Sequence, residues 1–155
     1  MDDGRLIAII RSRYAGNWDG IHGMPHWLRV RENGLRLAGE TGAHRRVVEV
    51  FALLHDSQRV NDGRDPEHGL RAAAFAESLG GDALGLDPAA LVLLAEACRG
   101  HSYGLMTGDI TVLTCWDADR LDLGRVGIRP AAHRLCTDAA RDPAMIEWAY
   151  RRSTA

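Results

Sequence analysis

The chain has 155 residues, 46% hydrophobic and 26% charged, with a formal net charge of −2. This length suits one ordinary domain whose core needs no disulfide staples, and the near-neutral charge excludes a global basic field for nucleic acid. No apolar run approaches the roughly 20 residues of a membrane span. The acidic start, Met1-Asp2-Asp3-Gly4, reads as neither a signal sequence nor an Arg-rich transit peptide, so a cytoplasmic protein is expected. Every basic residue is arginine. Genomic base composition explains that bias, although guanidinium forks also suit phosphate. Cys98, Cys115 and Cys136 are widely spaced with no CxxC pair, and they read as small buried hydrophobes in a reducing compartment.

The periodicity is helical almost throughout. Residues 4 to 14, with Leu6, Ile7, Ile9 and Ile10, predict a short first helix, followed by a loop through Gly16 and Gly20. Pro25 suits the first turn of a second helix, which runs through Trp27, Leu28, Val30, Leu35 and Leu37 to Gly39 or Gly42. A third helix begins near Ala43. From Val47 through Leu54 it is apolar almost all round, the mark of a helix buried on most sides. A fourth helix follows Asp65-Pro66 and ends at Gly80-Gly81. The fifth opens at Asp87-Pro88, a cap followed by an N1 proline, and runs to Gly100. The sixth covers about Ile110 to Leu123, and two shorter helices follow Pro130 and Asp142-Pro143. Asp109 to Thr114 is the best strand candidate, but its alternation is weak. One all-α helical bundle over residues 1–155 is expected.

The chemistry gathers around His55-Asp56, at the end of the most buried helix. An ionised aspartate there is costly unless paired or bound to a metal. Imidazole nitrogen with carboxylate oxygen suits Zn, Mn, Fe or Ni; alone, the dipeptide could equally cap a helix. It has company, however. Upstream stands His22-Gly23-Met24-Pro25-His26-Trp27-Leu28-Arg29-Val30, and downstream Trp116-Asp117-Ala118-Asp119-Arg120-Leu121-Asp122. His68 and His101 lie between the doublet and the last segment.

This ordered set, over about residues 20 to 130, resembles the HD superfamily of metal-dependent phosphohydrolases. The resemblance implies a compact HD-domain bundle with a metal held by His26, His55, Asp56 and Asp119. Periodicity leaves the last ligand open. Asp119 shares a face with Val112, Trp116 and Leu123, and Asp117 one with Ile110, Leu113 and Leu121; the match to an Ala-Asp-x-Leu pattern favours Asp119. HD proteins with two metals resemble H…HD…H…H…D, and His68 and His101 fill that interval. They either complete a second ion site or touch phosphate and move protons. The short step from Asp56 to His68 favours the second role.

Around these residues, Arg29 lies one turn from His26 on the same helix face, and Arg59 sits in a polar loop with Asn61, Asp62 and Arg64. Both are candidates to bind substrate. His22 is either a histidine at the site entrance or a solvated loop residue. His44, His133, Arg45-Arg46 and Arg151-Arg152 read as solvated surface, and Arg120 with Asp122 as a structural pair. There is no GxxxxGK[ST], no GxGxxG after a strand and no HExxH. The expected function is hydrolysis of a nucleotide or other small phosphate ester, with Asp56, His68 and His101 catalytic. The expected cofactor is a divalent transition metal (Mn, Fe, Zn, Ni or Co), as one ion or two. The alternatives are a di-iron oxygenase and a non-catalytic ligand-sensing module.

Overall fold

Helix α3 (Arg45–Leu54) is the axis of the molecule: Val47, Val48, Val50, Phe51, Ala52, Leu53 and Leu54 are all buried. In this computed structural model, which describes residues 1–155, α2 (Met24–Thr41), α6 (Pro88–Gly100) and α7 (Ile110–Arg120) pack around it. Helix α4 (His68–Leu79) lies along α6, and the single turn α5 (Gly81–Leu84) touches both. Helix α1 (Asp3–Arg13) sends Leu6 and Ile10 into the same core. After α7 the chain forms two 3₁₀ turns, Leu123–Val126 and Ala132–Arg134, then α8 (Asp138–Arg141) and α9 (Pro143–Thr154). No strand forms, and no helix is long and apolar enough to cross a membrane.

The expected all-α architecture is therefore what the chain adopts, and local chemistry accounts for most boundaries. Asp87 accepts from the Ala90 amide ahead of Pro88, and Asp142 accepts from Ala144 ahead of Pro143. Asp109 accepts from the Thr111 amide, so the segment with weak strand character is the first turn of α7. His44 is exposed, as expected, but its Nδ1 accepts from the Val47 amide and caps α3. Four points depart from expectation. The segment after Pro130 forms a 3₁₀ turn and the one-turn α8 rather than a helix, and α5 was not foreseen. Arg46 is not solvated: it donates to Asp3 at 2.7 Å and to the Leu84 carbonyl at 2.9 Å, tying α3 to α1 and α5. Arg152 likewise reaches Asn33 and Glu32 on α2.

Two glycines set helix approaches that matter later. A Cβ on Gly34 would stand 2.3 Å from Val48 Cγ1, where α2 meets α3. A Cβ on Gly69 would stand 2.5 Å from the Cys98 carbonyl and 3.2 Å from His101 Nδ1. The start of α4 thus rests directly on the end of α6. Gly39, by contrast, faces open space inside α2. Gly69→Ala should lower stability by about 1–3 kcal/mol through overpacking against backbone. Gly39→Ala should raise it by about 0.5–1 kcal/mol through helix propensity. Denaturant unfolding of the two variants checks both signs; a neutral Gly69→Ala would mean that α4 and α6 are not in tight contact there.

Candidate metal centre

The donor side chains sit at helix ends. His26 lies in the first turn of α2, His55 caps the C-terminus of α3 with Asp56 just beyond it, and Asp119 lies in the last turn of α7. Their tips converge. His26 Nε2 is 3.0 Å from His55 Nε2, 3.3 Å from Asp56 Oδ2 and 3.2 Å from Asp119 Oδ1. His55 Nε2 is 3.5 Å from Asp56 Oδ2 and 3.4 Å from Asp119 Oδ1. Donors bonded at about 2.0–2.2 Å to one ion stand about 3–3.5 Å from their neighbours, so His26, His55 and Asp56 fit a divalent transition metal, with Asp119 Oδ1 beside the two imidazoles.

A second set shares Asp56. Its other oxygen, Oδ1, is 3.1 Å from His68 Nε2 and 3.3 Å from His101 Nε2, and these two nitrogens are 2.9 Å apart. His68 opens α4 and His101 caps α6. The short loop between Asp56 and His68 reaches because it is stapled: Arg71 binds Asp65 at 2.6 Å and the Gln58 carbonyl at 3.1 Å, and Asp65 also accepts from the Val60 amide.

The hydrogen bonds behind the rings fix which nitrogen is free. His55 Nδ1 lies 3.1 and 3.0 Å from the Phe51 and Ala52 carbonyls, His68 Nδ1 2.5 Å from that of Asp65, and His101 Nδ1 2.7 Å from that of Cys98. Carbonyls only accept, so each Nδ1 carries the proton and donates. His26 Nδ1 donates to Asp122 Oδ2 at 2.6 Å. Neutral rings so fixed face each other through Nε2 lone pairs, an arrangement that requires a proton or a cation between them. Asp119 Oδ1 is also buried without a hydrogen-bond partner, as a donor awaiting a cation would be.

Charge reinforces this. Burial disfavours a charged His26, but the carboxylates of Asp119, Asp122 and Asp56, which accept from its ring, outweigh it and lift its pKa to about 9. Burial also opposes ionisation of Asp56 and Asp119, yet the surrounding imidazoles, His55 foremost, hold both well below the usual carboxylate range. A metal-free centre therefore keeps a proton on His26.

The remaining residues sort by contact. Asp117 is not at the centre: its carboxylate accepts from the Cys136 and Thr137 amides at 2.7 and 2.8 Å and from the Thr137 hydroxyl at 2.8 Å. Burial raises its pKa despite these bonds. Arg29 does not line the cleft; its Nε donates to Asp122 Oδ1 at 2.7 Å. The one-turn spacing from His26 brings it to the carboxylate behind that ring. Asp122 is accordingly no partner of Arg120, which instead donates to the Leu105 and Arg134 carbonyls. Arg59 does reach the centre, with Nε 3.4 Å from Asp56 Oδ1. Arg125, unnoticed in the sequence because no motif contains it, joins Arg59 and Arg120 in a cleft of about 260 Å³ above Asp56, His68, His101 and Asp119.

His22 lies at the site, with Nδ1 3.6 Å from Asp56 Oδ2. Its carbonyl accepts from Trp27 Nε1 at 2.8 Å and from the Tyr14 hydroxyl at 3.2 Å. Burial and the nearby charge of Asp56 raise the Tyr14 phenol to about 12, so it remains a donor. Tyr14, Trp18 and Trp27 meet edge to face at 5.3–5.8 Å and brace this loop. His133 is exposed, as expected. Cys98 and Cys115 are buried, whereas Cys136 is only partly so.

No protein-family model and no curated protein matches the sequence. Among solved structures, a predicted HD superfamily hydrolase from an uncultured Thermotogales bacterium superposes with a TM-score of 0.72 at 26% identity, over 96% of this chain and 85% of that one. The resemblance to the HD superfamily thus holds in the fold and in the clustered histidines and aspartates. Together they support a metal-dependent hydrolase.

Three substitutions separate donor, support and scaffold. Asp122→Asn should weaken metal binding by about 10–100-fold, the usual loss for a partner behind a ligand, and Asp119→Asn by more. Asp117→Asn should leave affinity near wild type and lower stability by about 1–3 kcal/mol. Metal titration and denaturant unfolding read the order; stronger loss of affinity at 117 than at 119 would overturn the assignment.

Affinity should also follow pH. With a folded pKa of about 9 against an ordinary 6.5, the charged His26 stabilises the metal-free fold fully below pH 6.5, and this contribution is lost as pH rises through 9. An incoming ion displaces that proton, so affinity should climb about tenfold per pH unit from about 6.5 to 8.5. A flat profile in buffered titrations would contradict this.

Proposed function

We propose that this HD-type chain is a two-metal phosphohydrolase acting on a nucleotide or other small phosphate ester. The observation that carries the reading is the sharing of Asp56. One oxygen faces the His26–His55 pair and the other the His68–His101 pair, so one carboxylate would serve both donor sets. On this reading His26, His55, Asp56 and Asp119 hold one ion, and Asp56, His68 and His101 the other. His68 and His101 are then metal donors rather than free proton carriers, because each Nδ1 proton is committed to a carbonyl.

Bound divalent ions supply Lewis acidity, polarising phosphoryl oxygens and making water acidic enough to ionise near neutral pH. The chain's own residues do the rest. Arg59 and Arg125 border the cleft and neutralise charge developing on the phosphoryl group; Arg125 replaces Arg29 in that role. Arg29 and Asp122 keep the His26 ring in place through the bonds at 2.7 and 2.6 Å. His22, beside Asp56 Oδ2 with an unpartnered Nδ1, accepts a proton from the attacking water. The arginines favour phosphate-ester chemistry over the oxygenase that the same donor set would permit with iron.

The test is metal content of protein purified without added metal, then phosphate release from a panel of nucleotides and small phosphate esters. Two ions per chain are expected. His68→Ala or His101→Ala should leave one, and Asp56→Ala should lose both with helical content retained. Turnover in the histidine variants should fall by roughly 10²–10⁴. Full activity in the double histidine variant would sink the two-metal reading, and iron-dependent oxygen consumption without phosphate release would replace hydrolysis with oxygenation.

A further inference from the structure

A second and larger cavity, about 740 Å³, opens beside the metal cleft. The two compartments share Gly104, Arg120 and Leu123 as a common wall, but their chemistry differs. Leu123 is the one hydrophobic residue of the metal cleft. The second cavity has apolar walls in Met106, Leu123, Ile128 and Leu135, a basic rim in Arg134 and His133, and no carboxylate. Arg120 braces the partition. Its guanidinium donates to the carbonyls of Leu105 and Arg134, which ties the two segments that border the cavity to each other. Ile128 remains 53% exposed at its edge. An apolar wall continuous with a polar reaction cleft, within the 300–1,000 Å³ typical of ligand sites, is the form of a site for the organic part of a substrate.

We infer that this cavity holds the leaving group of the substrate, and that the substrate class is a phosphate ester of a ring-bearing, largely apolar alcohol. The inference rests on the phosphohydrolase reading of the metal cleft. The phosphate lies over Asp56 and Asp119, with Arg59 and Arg125 beside it, and the ring lies against Leu123 and Ile128. Water adds to phosphorus, the bond from phosphorus to the ester oxygen breaks, and the ring-bearing alcohol leaves with a proton, so no oxidant or second substrate is needed. A small polyol phosphate would leave these apolar walls uncovered and its hydroxyls without partners. The basic rim, free of carboxylates, tolerates further negative charge on the ring portion.

The test compares 1-naphthyl phosphate with glycerol 2-phosphate on the metal-loaded protein and on Ile128→Asp. It adds calorimetric binding of phenylphosphonate, which cannot be hydrolysed. The naphthyl ester should exceed the glycerol ester in kcat/KM by at least about tenfold, from its better leaving group together with burial of the ring, and the fall of that ratio in Ile128→Asp reads the part due to burial. Ile128→Asp should raise KM for the naphthyl ester by a similar factor, raise it much less for the glycerol ester, leave metal content unchanged, and weaken the phosphonate. Equal kcat/KM for the two esters, or an equal effect of the variant on both, would overturn the cavity assignment while leaving phosphohydrolysis intact. Failure to hydrolyse any ester would instead overturn the phosphohydrolase reading. Ile128-dependent binding of the phosphonate would still support the cavity in that event.

Discussion

The structure is organised around one buried carboxylate. Asp56 is 2% exposed, lies within 3.6 Å of five imidazoles, four of them carried by helices, and stands at the end of the helix that forms the axis of the core. A charge in that position is tolerable only with strong compensation. Four separate helices deliver it: α2, α3, α4 and α6 each send one histidine to the same point. Their relative placement is therefore constrained by electrostatics as well as by packing. This is why the close approaches at Gly34 and Gly69 matter beyond the space they save.

The donors sit at helix ends for a reason that backbone chemistry supplies. The last turn of a helix leaves carbonyls without intrahelical partners. At α3 and α6 such carbonyls, those of Ala52 and Cys98, take the Nδ1 protons of His55 and His101. One hydrogen bond thus satisfies an orphan acceptor, orients a ring and fixes its tautomer. His68 does the same with the turn that precedes α4, and His26, with no such carbonyl near, uses Asp122. That carboxylate raises the basicity of the ring it supports, and Arg29 holds it in turn.

The fold was legible because α3 is apolar on all sides and because Asp-Pro pairs and glycines punctuate the helices. The convergence of His26, His55, Asp56 and Asp119 was expected through resemblance alone, since helical periodicity treats Asp117 and Asp119 alike. What separates them is tertiary: the segment around Cys136 and Thr137 supplies three donors to Asp117, a contact no local pattern encodes. The position of Arg29 failed for a related reason. Spacing along α2 gave the correct face, but Asp122 from the far end of α7 occupies that face first. The role expected of His68 and His101 turned on chain length, and the Asp65–Arg71 staple shows how a short loop spans the distance. Arg125 lies in a 3₁₀ turn, where periodicity carries no signal.

Charge balance links the centre to the ligand it would take. The chain as a whole is slightly acidic, yet the cleft gathers Arg59, Arg120 and Arg125 above only two carboxylates, Asp56 and Asp119. If each oxygen of Asp56 serves one ion, the second ion arrives with no carboxylate of its own, for His68 and His101 are neutral donors. The occupied cleft then carries surplus positive charge in a site partly withdrawn from water, where such charge is screened least. An anion must complete it. A phosphoryl group does so with three oxygens and matches the planar guanidinium forks at the rim. The negative charge missing from the protein's own donor set is thus the charge the substrate would bring.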